Sequence, residues 1–321
     1  MNGRKGTDME FINRQQVESL LDMQSCISLM HETLINLAHG HAEQMLRTVL
    51  PLSEGNAFAL MPAIDGTKSI AGAKLITVFP DNFGHGLPSH QGIVLVFDTQ
   101  TGSLKAAADG EAITAIRTAA VSAVATDFLA NDNASRLAII GSGTQARMHL
   151  EAILCVRNII RVCVWDINAS AAKRFAGEMQ AKFGIEVDVC QSTAQAICDS
   201  DIICTVTAAT EPVVFGQDIK NGTHINAVGA CKPSARELDT YAVQRGLIFT
   251  DKMESLLNES GDFIIPFEQN LITKNQIAGE LGCALLGKIP GRQSPEDITI
   301  YKSLGLGVFD LVAANYISEN I

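Results

Sequence analysis

The 321-residue sequence has few aromatic residues and no excess of positive charge. Phe, Tyr and Trp make up 5% of the chain, and only one residue is Trp. The net charge is −11, from 24 Lys and Arg against 35 Asp and Glu. An acidic chain repels phosphate backbones, and scarce aromatics leave little surface on which bases could stack. These two shortages exclude nucleic acid as an expected partner.

The sequence also lacks the patterns of zinc sites, secretion signals and membrane spans. None of the eight cysteines forms a CxxC pair or has zinc-ligand spacing, so we expect reduced thiols and no metal. Residues 1–10 are polar and contain no apolar signal core. No uninterrupted apolar run reaches the length of a membrane span. We therefore expect a soluble, cytoplasmic protein with no membrane partner.

The first third of the chain predicts an α+β unit. Apolar residues recur at helical spacing over residues 16–49. Gly and Pro residues mark a loop over 84–92, in which His85 and His90 are either proton donors or solvated side chains. Strand-like segments surround this loop, at 57–62, 70–79, 93–98 and 104–108.

Beyond residue 113, helical segments alternate with short apolar strands. The predicted strands are 136–140, 161–165, 186–189, 202–207, 223–228 and 247–250, and the predicted helices are 113–130, a segment from the turn at 141–146 to about 156, 169–183, 193–199 and 306–320. Such alternation is typical of a parallel sheet with helices on both faces. We therefore predict an α/β fold with a Rossmann-type doubly wound parallel sheet beside the α+β unit.

The segment Gly141-Ser142-Gly143-Thr144-Gln145-Ala146 lies between a predicted strand and a predicted helix. In a dinucleotide-binding turn, the first glycine allows the tight bend, and the second lets the backbone approach the pyrophosphate at the helix N-terminus. The small Ala146 allows the helix to pack closely on the sheet. The strand–turn–helix context therefore predicts a nicotinamide dinucleotide as cofactor.

Asp166 ends the next predicted strand, 23 residues after Gly143. An acid at about this distance binds the ribose 2′-hydroxyl and repels a 2′-phosphate, which favours NAD(H). Capping of the following helix is the alternative role of Asp166. Lys173 and Arg174 follow closely and could pair with a 2′-phosphate, so NADP(H) stays open.

Several segments together resemble the ornithine cyclodeaminase/μ-crystallin family. The resemblance implies a homodimer that transfers hydride at the α-carbon of an amino or imino acid. It also implies a substrate-binding and dimerisation domain of residues 1–118 with 302–321, and a dinucleotide-binding domain of 119–301. The similar segments are Leu60-Met61-Pro62, Gly72-Ala73-Lys74, Asp109 to Ala120, Gly141 to Ala146, Val228-Gly229-Ala230, Arg236 to Asp239 and Tyr301 to Gly305.

Position by position, the resemblance assigns Arg47, Lys74 and Arg117 to the substrate carboxylate. Arg binds a carboxylate through two parallel hydrogen bonds, and a Lys within an apolar strand can have its pKa lowered enough for proton transfer. The sequence alone leaves other roles open. Lys74 could be solvated, Arg47 could lie on a helix surface, and Arg117 could pair with Glu111 or Asp109.

The resemblance also places Asp310 near the nicotinamide, so Lys74 and Asp310 are the catalytic candidates. The alternative for Asp310 is a charge at a helix N-terminus. The predicted cofactor-binding residues are Thr118, Gly141, Gly143, Thr144, Gln145, Ala146, Asp166, Thr205, Thr207, Val228 and Gly229.

Cys231 departs from the cyclodeaminase pattern, which has an Asp at this position. A thiol is mostly protonated near neutral pH and is a poor base. The sequence therefore favours NAD(P)H-dependent reduction of a cyclic imino acid, such as Δ1-pyrroline-2-carboxylate to proline or its six-membered homologue to pipecolate. Alternatives are an alanine dehydrogenase, an ornithine cyclodeaminase and a non-catalytic μ-crystallin-like binding protein; three substrate cations argue against pure binding.

Overall fold

The computed structural model describes residues 10–321 and divides into two compact units. The first unit contains the described residues up to Arg117 together with Leu306–Ile321, and the second contains Thr118–Gly305. Residues 1–9, on which the prediction of no signal peptide rests, lie outside the described residues. Residues 302–305 were expected in the first unit, but the strand that ends at Lys302 pairs within the second sheet.

Fifteen strands and eleven helices can be traced through the described residues. The strands are β1 (Glu10–Ile12), β2 (Ala42–Gln44), β3 (Thr48–Pro51), β4 (Ala57–Asp65), β5 (Ile70–Val78), β6 (His90–Asp98), β7 (Leu104–Asp109), β8 (Arg136–Ile140), β9 (Arg161–Trp165), β10 (Val187–Val189), β11 (Ile202–Thr205), β12 (His224–Ala227), β13 (Gly246–Thr250), β14 (Ile277–Glu280) and β15 (Ile298–Lys302). The helices are α1 (Arg14–Leu20), α2 (Met23–His39), α3 (Gly110–Leu129), α4 (Thr144–Val156), α5 (Ala169–Phe183), α6 (Thr193–Ile197), α7 (Thr240–Arg245), α8 (Met253–Glu259), α9 (Gly261–Glu268), α10 (Leu281–Leu285) and α11 (Gly307–Ser318).

A mostly antiparallel sheet forms the centre of the first unit. Its order is β1-β7-β6-β5-β4-β2, and β3 also pairs with β4. The C-terminal helix α11 packs across β4, β5, β6 and β7 and against α2. Lys74 lies in the middle of β5, opposite Met61 on one side and Val94 on the other. A lysine at the centre of a sheet covered by a helix must find buried partners.

The expected helix over residues 16–49 is wrong, because capping residues interrupt it. The side chain of Asp22 accepts from the Ser25 amide and starts α2 as a separate helix. Gly40 ends α2 in the left-handed conformation, at φ 74°, which a residue without Cβ adopts easily. The chain beyond it is extended, and β2 and β3 both pair with β4.

An eight-stranded parallel sheet forms the second unit, in the order β10-β9-β8-β11-β12-β15-β13-β14. The adjacent strands β8 and β11 are separated in sequence by two strand-forming segments, which makes their edge the switch point of a doubly wound sheet. Leu137 and Ile139 point into one apolar cluster, and Ala138 and Ile140 into another on the opposite face. The predicted fold class is confirmed.

The secondary structure of residues 251–305 was not predicted, although they contain α8, α9, β14, α10 and β15. β15 inserts between β12 and β13, and all five of its residues are buried. Its sequence mixes Ile with Thr, Tyr and Lys, so that its apolar signal is weak. The burial of Lys302 depends on partners far away in sequence, which local periodicity does not reveal.

The helix α3 is long and apolar enough to cross a membrane by length and composition alone. However, 78% of its most apolar window is buried inside the structure. Buried core helices pass the same test, so α3 is weak evidence for a membrane span.

Candidate substrate and cofactor sites

Two cations and one carboxylate meet in the interior of the first unit. Lys74 Nζ lies 3.0 Å from Asp310 Oδ1. Arg117 Nη2 lies 3.1 Å from Asp310 Oδ2, and its Nε donates to Oδ1 over 3.2 Å. Lys74 comes from β5, Arg117 from α3 and Asp310 from α11, and each is at most 3% exposed. We call this group the Lys74–Arg117–Asp310 cluster.

The contacts within this cluster exclude the alternative roles that the sequence alone left open for Lys74 and Arg117. Lys74 is not solvated, and Arg117 does not use the acids proposed for it. Glu111 pairs instead with Arg14 at 2.6 Å, and Asp109 accepts from the Ala112 amide at the start of α3.

Burial and mutual attraction set the protonation of the cluster. Burial lowers the pKa of Lys74 to about 8, with the nearby Arg117 acting in the same direction and Asp310 opposing both. Burial alone would raise the pKa of Asp310, but the charges of Arg117 and Lys74 outweigh it and lower that pKa. Asp310 is therefore ionised, and at neutral pH the cluster has one net positive charge.

Thr114 is a member of this site that the sequence did not single out. Lys74 Nζ donates to its Oγ1 over 2.5 Å, and that oxygen lies 3.1 Å from Asp310 Oδ1. Thr114 precedes Arg117 by three residues, so both lie on the same face of α3. That spacing could have indicated Thr114 once Arg117 was a candidate.

Arg47 lies in the short connection between β2 and β3, not on a helix as expected. It is half-buried, and its charge lowers the pKa of Lys74, which places it within electrostatic reach of the cluster. Arg47 therefore adds to the positive potential at the cluster in a chain that is acidic overall. His85, in a short 3₁₀ turn, and His90, in β6, are both exposed, as solvated histidines would be.

In the second unit, the two glycines of the turn after β8 have different environments. Gly141 has φ +105°, and an added Cβ would lie 2.9 Å from the Val206 carbonyl oxygen. Gly143 is the N-cap of α4, and an added Cβ there would have no neighbour within 4 Å. Ala146 is fully buried against the sheet. A tight bend, an open approach and the amides of a helix N-terminus together fit a pyrophosphate.

Asp166 belongs to this turn and does not cap α5. Its Oδ2 accepts from Ser142 Oγ over 2.6 Å, and its Oδ1 accepts from the Asn168 amide over 2.8 Å. The N-cap of α5 is Asn168, whose side chain accepts two amides of the first turn. The capping alternative for Asp166 is therefore wrong. Lys173 and Arg174 are exposed on α5.

Glu237, which the sequence did not assign a role, joins the ends of β11 and β12. Its Oε2 accepts from Thr205 Oγ1 over 2.8 Å and from the Gly229 amide over 2.7 Å. Its Oε1 accepts from both the amide and the hydroxyl of Thr207, at 2.7 Å each. Glu237 is fully buried, and burial raises its pKa. Glu237 stands in the charged segment Arg236-Glu237-Leu238-Asp239, which looks like surface in sequence, and this explains why it was missed.

The remaining predicted cofactor residues are spread over the same unit. Thr118 begins it and is buried in α3, and Thr144 is exposed at the start of α4. The Val228 amide donates to the Thr205 carbonyl oxygen over 3.0 Å. Cys231 is half-buried, and its Sγ lies 3.4 Å from the Val228 carbonyl oxygen and 3.6 Å from the Ser303 carbonyl oxygen.

Comparison with known proteins confirms the resemblance. The model of the ornithine cyclodeaminase/mu-crystallin family matches residues 7–321, and the chain belongs to this family. It is 38% identical to the ketimine reductase mu-crystallin of Rattus norvegicus, over 97% of this chain and 96% of that protein. It is 36% identical to a Δ1-pyrroline-2-carboxylate reductase of Bacillus cereus, with the same coverage.

Solved structures support the same relationship. The Δ1-pyrroline-2-carboxylate reductase of Thermococcus litoralis, in complex with NADH and L-proline, superposes with a TM-score of 0.94 at 38% identity, covering 97% of both chains. An archaeal alanine dehydrogenase dimer with bound NAD superposes with a TM-score of 0.92 at 30% identity, covering 97% of this chain and 95% of the other.

Proposed function

We propose that this protein is an NAD(P)H-dependent reductase of cyclic imino acids, converting Δ1-pyrroline-2-carboxylate to L-proline or the six-membered homologue to L-pipecolate. The observation that carries the proposal is the buried, net positive Lys74–Arg117–Asp310 cluster in a chain that also has a dinucleotide-type glycine turn. The rat and Thermococcus litoralis relatives are named for ketimine and pyrroline-carboxylate reduction, and the latter was solved with NADH and L-proline.

Arg117 and Arg47 bind the substrate carboxylate in this proposal. Asp310 occupies the Nε and Nη2 edge of the Arg117 guanidinium, which leaves the edge formed by Nη1 and Nη2 to meet a second carboxylate. Because Asp310 also contacts Lys74, it fixes the orientation of both cations before substrate binds. Such preorganisation lowers the entropic cost of holding the reactive geometry.

Lys74 is the proposed proton donor. With a pKa of about 8, its ammonium is protonated at neutral pH yet acidic enough to protonate the ring nitrogen of an imine. A protonated nitrogen makes the adjacent carbon electrophilic. When bound, the reduced nicotinamide supplies the hydride that this carbon accepts.

The second unit holds the dinucleotide in this proposal. Gly141, Gly143 and the first amides of α4 bind the pyrophosphate, and Asp166 binds the ribose 2′-hydroxyl. Because Asp166 stands at the turn itself, we favour NADH over NADPH. Thr118, Thr144, Gln145, Ala146, Thr205, Thr207, Val228 and Gly229 complete the proposed cofactor-binding set.

The quaternary structure and the location of the protein are also part of the proposal. β3 exposes Val49 by 49% and Leu50 by 56%, an apolar edge that favours association of two copies. The archaeal alanine dehydrogenase relative is a dimer. We propose a cytoplasmic homodimer. Light scattering would measure its mass in solution.

A panel of substrates tests the proposed reaction. The protein is incubated with NADH or NADPH and one of three substrates: Δ1-pyrroline-2-carboxylate, Δ1-piperideine-2-carboxylate, or pyruvate with ammonia. Oxidation of the cofactor with formation of proline or pipecolate is expected. Faster turnover of pyruvate with ammonia would instead indicate an alanine dehydrogenase. Release of ammonia from ornithine with catalytic NAD would indicate a cyclodeaminase, which Cys231 argues against.

A further inference from the structure

Glu237 is itself held by a second buried carboxylate and a buried lysine. Asp262 Oδ1 accepts from the Glu237 amide over 2.8 Å. Lys302 Nζ lies 2.8 Å from Asp262 Oδ2 and donates to the Ala230 carbonyl oxygen over 2.6 Å. The consecutive residues Gly229 and Ala230 are therefore held from two sides, one by Glu237 and the other by Lys302.

These contacts begin where the pairing of the two strands ends. The ladder between β11 and β12 runs from Ile202 opposite His224 to Thr205 opposite Ala227. Three of the four hydrogen bonds to Glu237 come from Thr207 and Gly229, which lie past the ends of these strands. These three hydrogen bonds are not needed to hold β11 and β12 together, because the backbone hydrogen bonds of the ladder already do this. They fix the backbone of the two loops that follow.

The two loops also approach each other too closely for a side chain. A Cβ added to Gly229 would lie 2.1 Å from the Thr207 carbonyl oxygen and 2.5 Å from Glu237 Oε1. The loops and the carboxylate therefore form one rigid piece at the carboxyl edge of the sheet. Ligands of open parallel sheets bind outside this edge.

The strand order indicates which part of a dinucleotide would lie there. Asp166, the proposed ribose ligand, follows β9, and the glycine turn follows β8. In the order β9-β8-β11-β12, the loops held by Glu237 lie on the other side of the glycine turn from Asp166. A dinucleotide whose pyrophosphate is bound at the turn and whose adenosine half lies over β9 extends its nicotinamide half over β11 and β12.

We propose that Glu237, supported by Asp262 and Lys302, is a positioning residue for the nicotinamide half of the cofactor and acts through Thr207 and Gly229. This inference rests on the proposed function for the identity of the cofactor. Glu237 does not touch the reacting atoms; it fixes the loops on which the nicotinamide half is held.

The substitution Glu237→Gln tests this role with little change in volume. The amide nitrogen of Gln cannot accept, so at least one loop loses its hydrogen bonds and faces a competing donor. NADH affinity, measured by fluorescence titration, should fall about tenfold or more, as the loss of a charge-assisted hydrogen bond implies. The primary isotope effect with 4-deuterated NADH should rise, because a poorly positioned nicotinamide makes hydride transfer more rate-limiting.

Asp201→Asn is the matched control. Asp201 also accepts backbone amides, those of Ser135 and Arg136, but it does so just before β11, at the opposite edge of the same sheet. This variant should lose thermal stability without a change in NADH affinity or isotope effect. Asp262→Asn, which removes the carboxylate that pairs with Lys302 and supports Glu237, should shift both readouts in the direction of Glu237→Gln and serves if that variant does not fold.

Unchanged NADH affinity and isotope effect in the folded variants would overturn the role of Glu237, as would equal shifts in Asp201→Asn. If the wild-type protein reduces no cyclic imine, the proposed function fails. The NADH titration then still decides whether Glu237 positions the cofactor-binding loops.

Discussion

Asp310 holds two cations side by side in the first unit without neutralising both. Removing ions from water is costly, and a buried ion pair is retained only when its geometry is good. Here Asp310 contacts Lys74 and Arg117 together, and the Thr114 hydroxyl contacts both Lys74 and Asp310. The residual positive charge is what a carboxylate substrate can use.

Replacing Arg117 should separate substrate binding from cofactor binding. Loss of a bidentate contact in a desolvated site costs about 2–5 kcal/mol, so Arg117→Ala should lower kcat/KM for the imino acid by roughly 30-fold or more. Arg117→Lys should recover only part, because an ammonium lacks the planar fork. NADH affinity, measured by fluorescence titration, should change little. A near-normal kcat/KM for folded Arg117→Ala would show that the carboxylate binds elsewhere.

The lowered pKa of Lys74 predicts a loss of activity in mildly alkaline solution. Lys74 is protonated below pH 8, and its proton and charge are lost as the pH rises through about 8. The kcat/KM for the imino acid should therefore fall above that pH. Lys74→Arg should lower kcat/KM at all pH values, because Arg does not release its proton, and the activity that remains should lack the fall caused by Lys74. The titration of the substrate is common to both proteins, so an identical profile would remove Lys74 from the mechanism.

Elements with a strong local signal could be predicted closely, whereas those that depend on distant partners could not. The strands β8 and β9 and the helix α5 have the predicted bounds, because apolar strands and amphipathic helices have a recognisable pattern of apolar residues in sequence. β15 was missed because the partners of its buried Lys302, Asp262 and the Ala230 carbonyl oxygen, lie forty or more residues earlier in the chain. In the same way, Lys74 could be placed in a strand, but its contacts with Asp310 could not be read from spacing.

The turn between β8 and α4 predicts opposite effects for its two glycines. In Gly141→Ala the positive φ and the nearby Val206 carbonyl oxygen oppose a Cβ, so thermal stability should fall. In Gly143→Ala the Cβ points into open space, so the fold should persist while NADH binding weakens, because the methyl group obstructs the pyrophosphate. Melting curves and NADH titrations of both variants check this. Normal NADH affinity in Gly143→Ala would exclude this turn as the pyrophosphate site.

Asp166, at the end of β9, predicts the choice between the two cofactors. Replacing it with Ser removes the carboxylate that would repel a 2′-phosphate, while Lys173 and Arg174 remain exposed on α5. Asp166→Ser should therefore shift the ratio of kcat/KM values toward NADPH. The comparison needs both cofactors with both proteins. An unchanged ratio would show that Asp166 does not contact the ribose.

The whole molecule has a net charge of −11, yet the proposed reaction needs an anionic substrate and an anionic cofactor. The two units meet this need differently. The first supplies a local excess of positive charge around Lys74, and the second supplies glycines and helix amides at the turn after β8. Neither requires a basic surface, so an acidic overall composition is compatible with phosphate and carboxylate ligands.

Transfer of deuterium from 4-deuterated NADH to the product tests the central claim most directly. The protein is incubated with Δ1-pyrroline-2-carboxylate and NADH deuterated at the transferred position, and the proline is examined by mass spectrometry and NMR. Direct hydride transfer predicts L-proline with one deuterium at C2. The same experiment is run with Δ1-piperideine-2-carboxylate. Absence of both proline and pipecolate, or products without deuterium at C2, would contradict the assignment of this protein as a nicotinamide-dependent imino acid reductase.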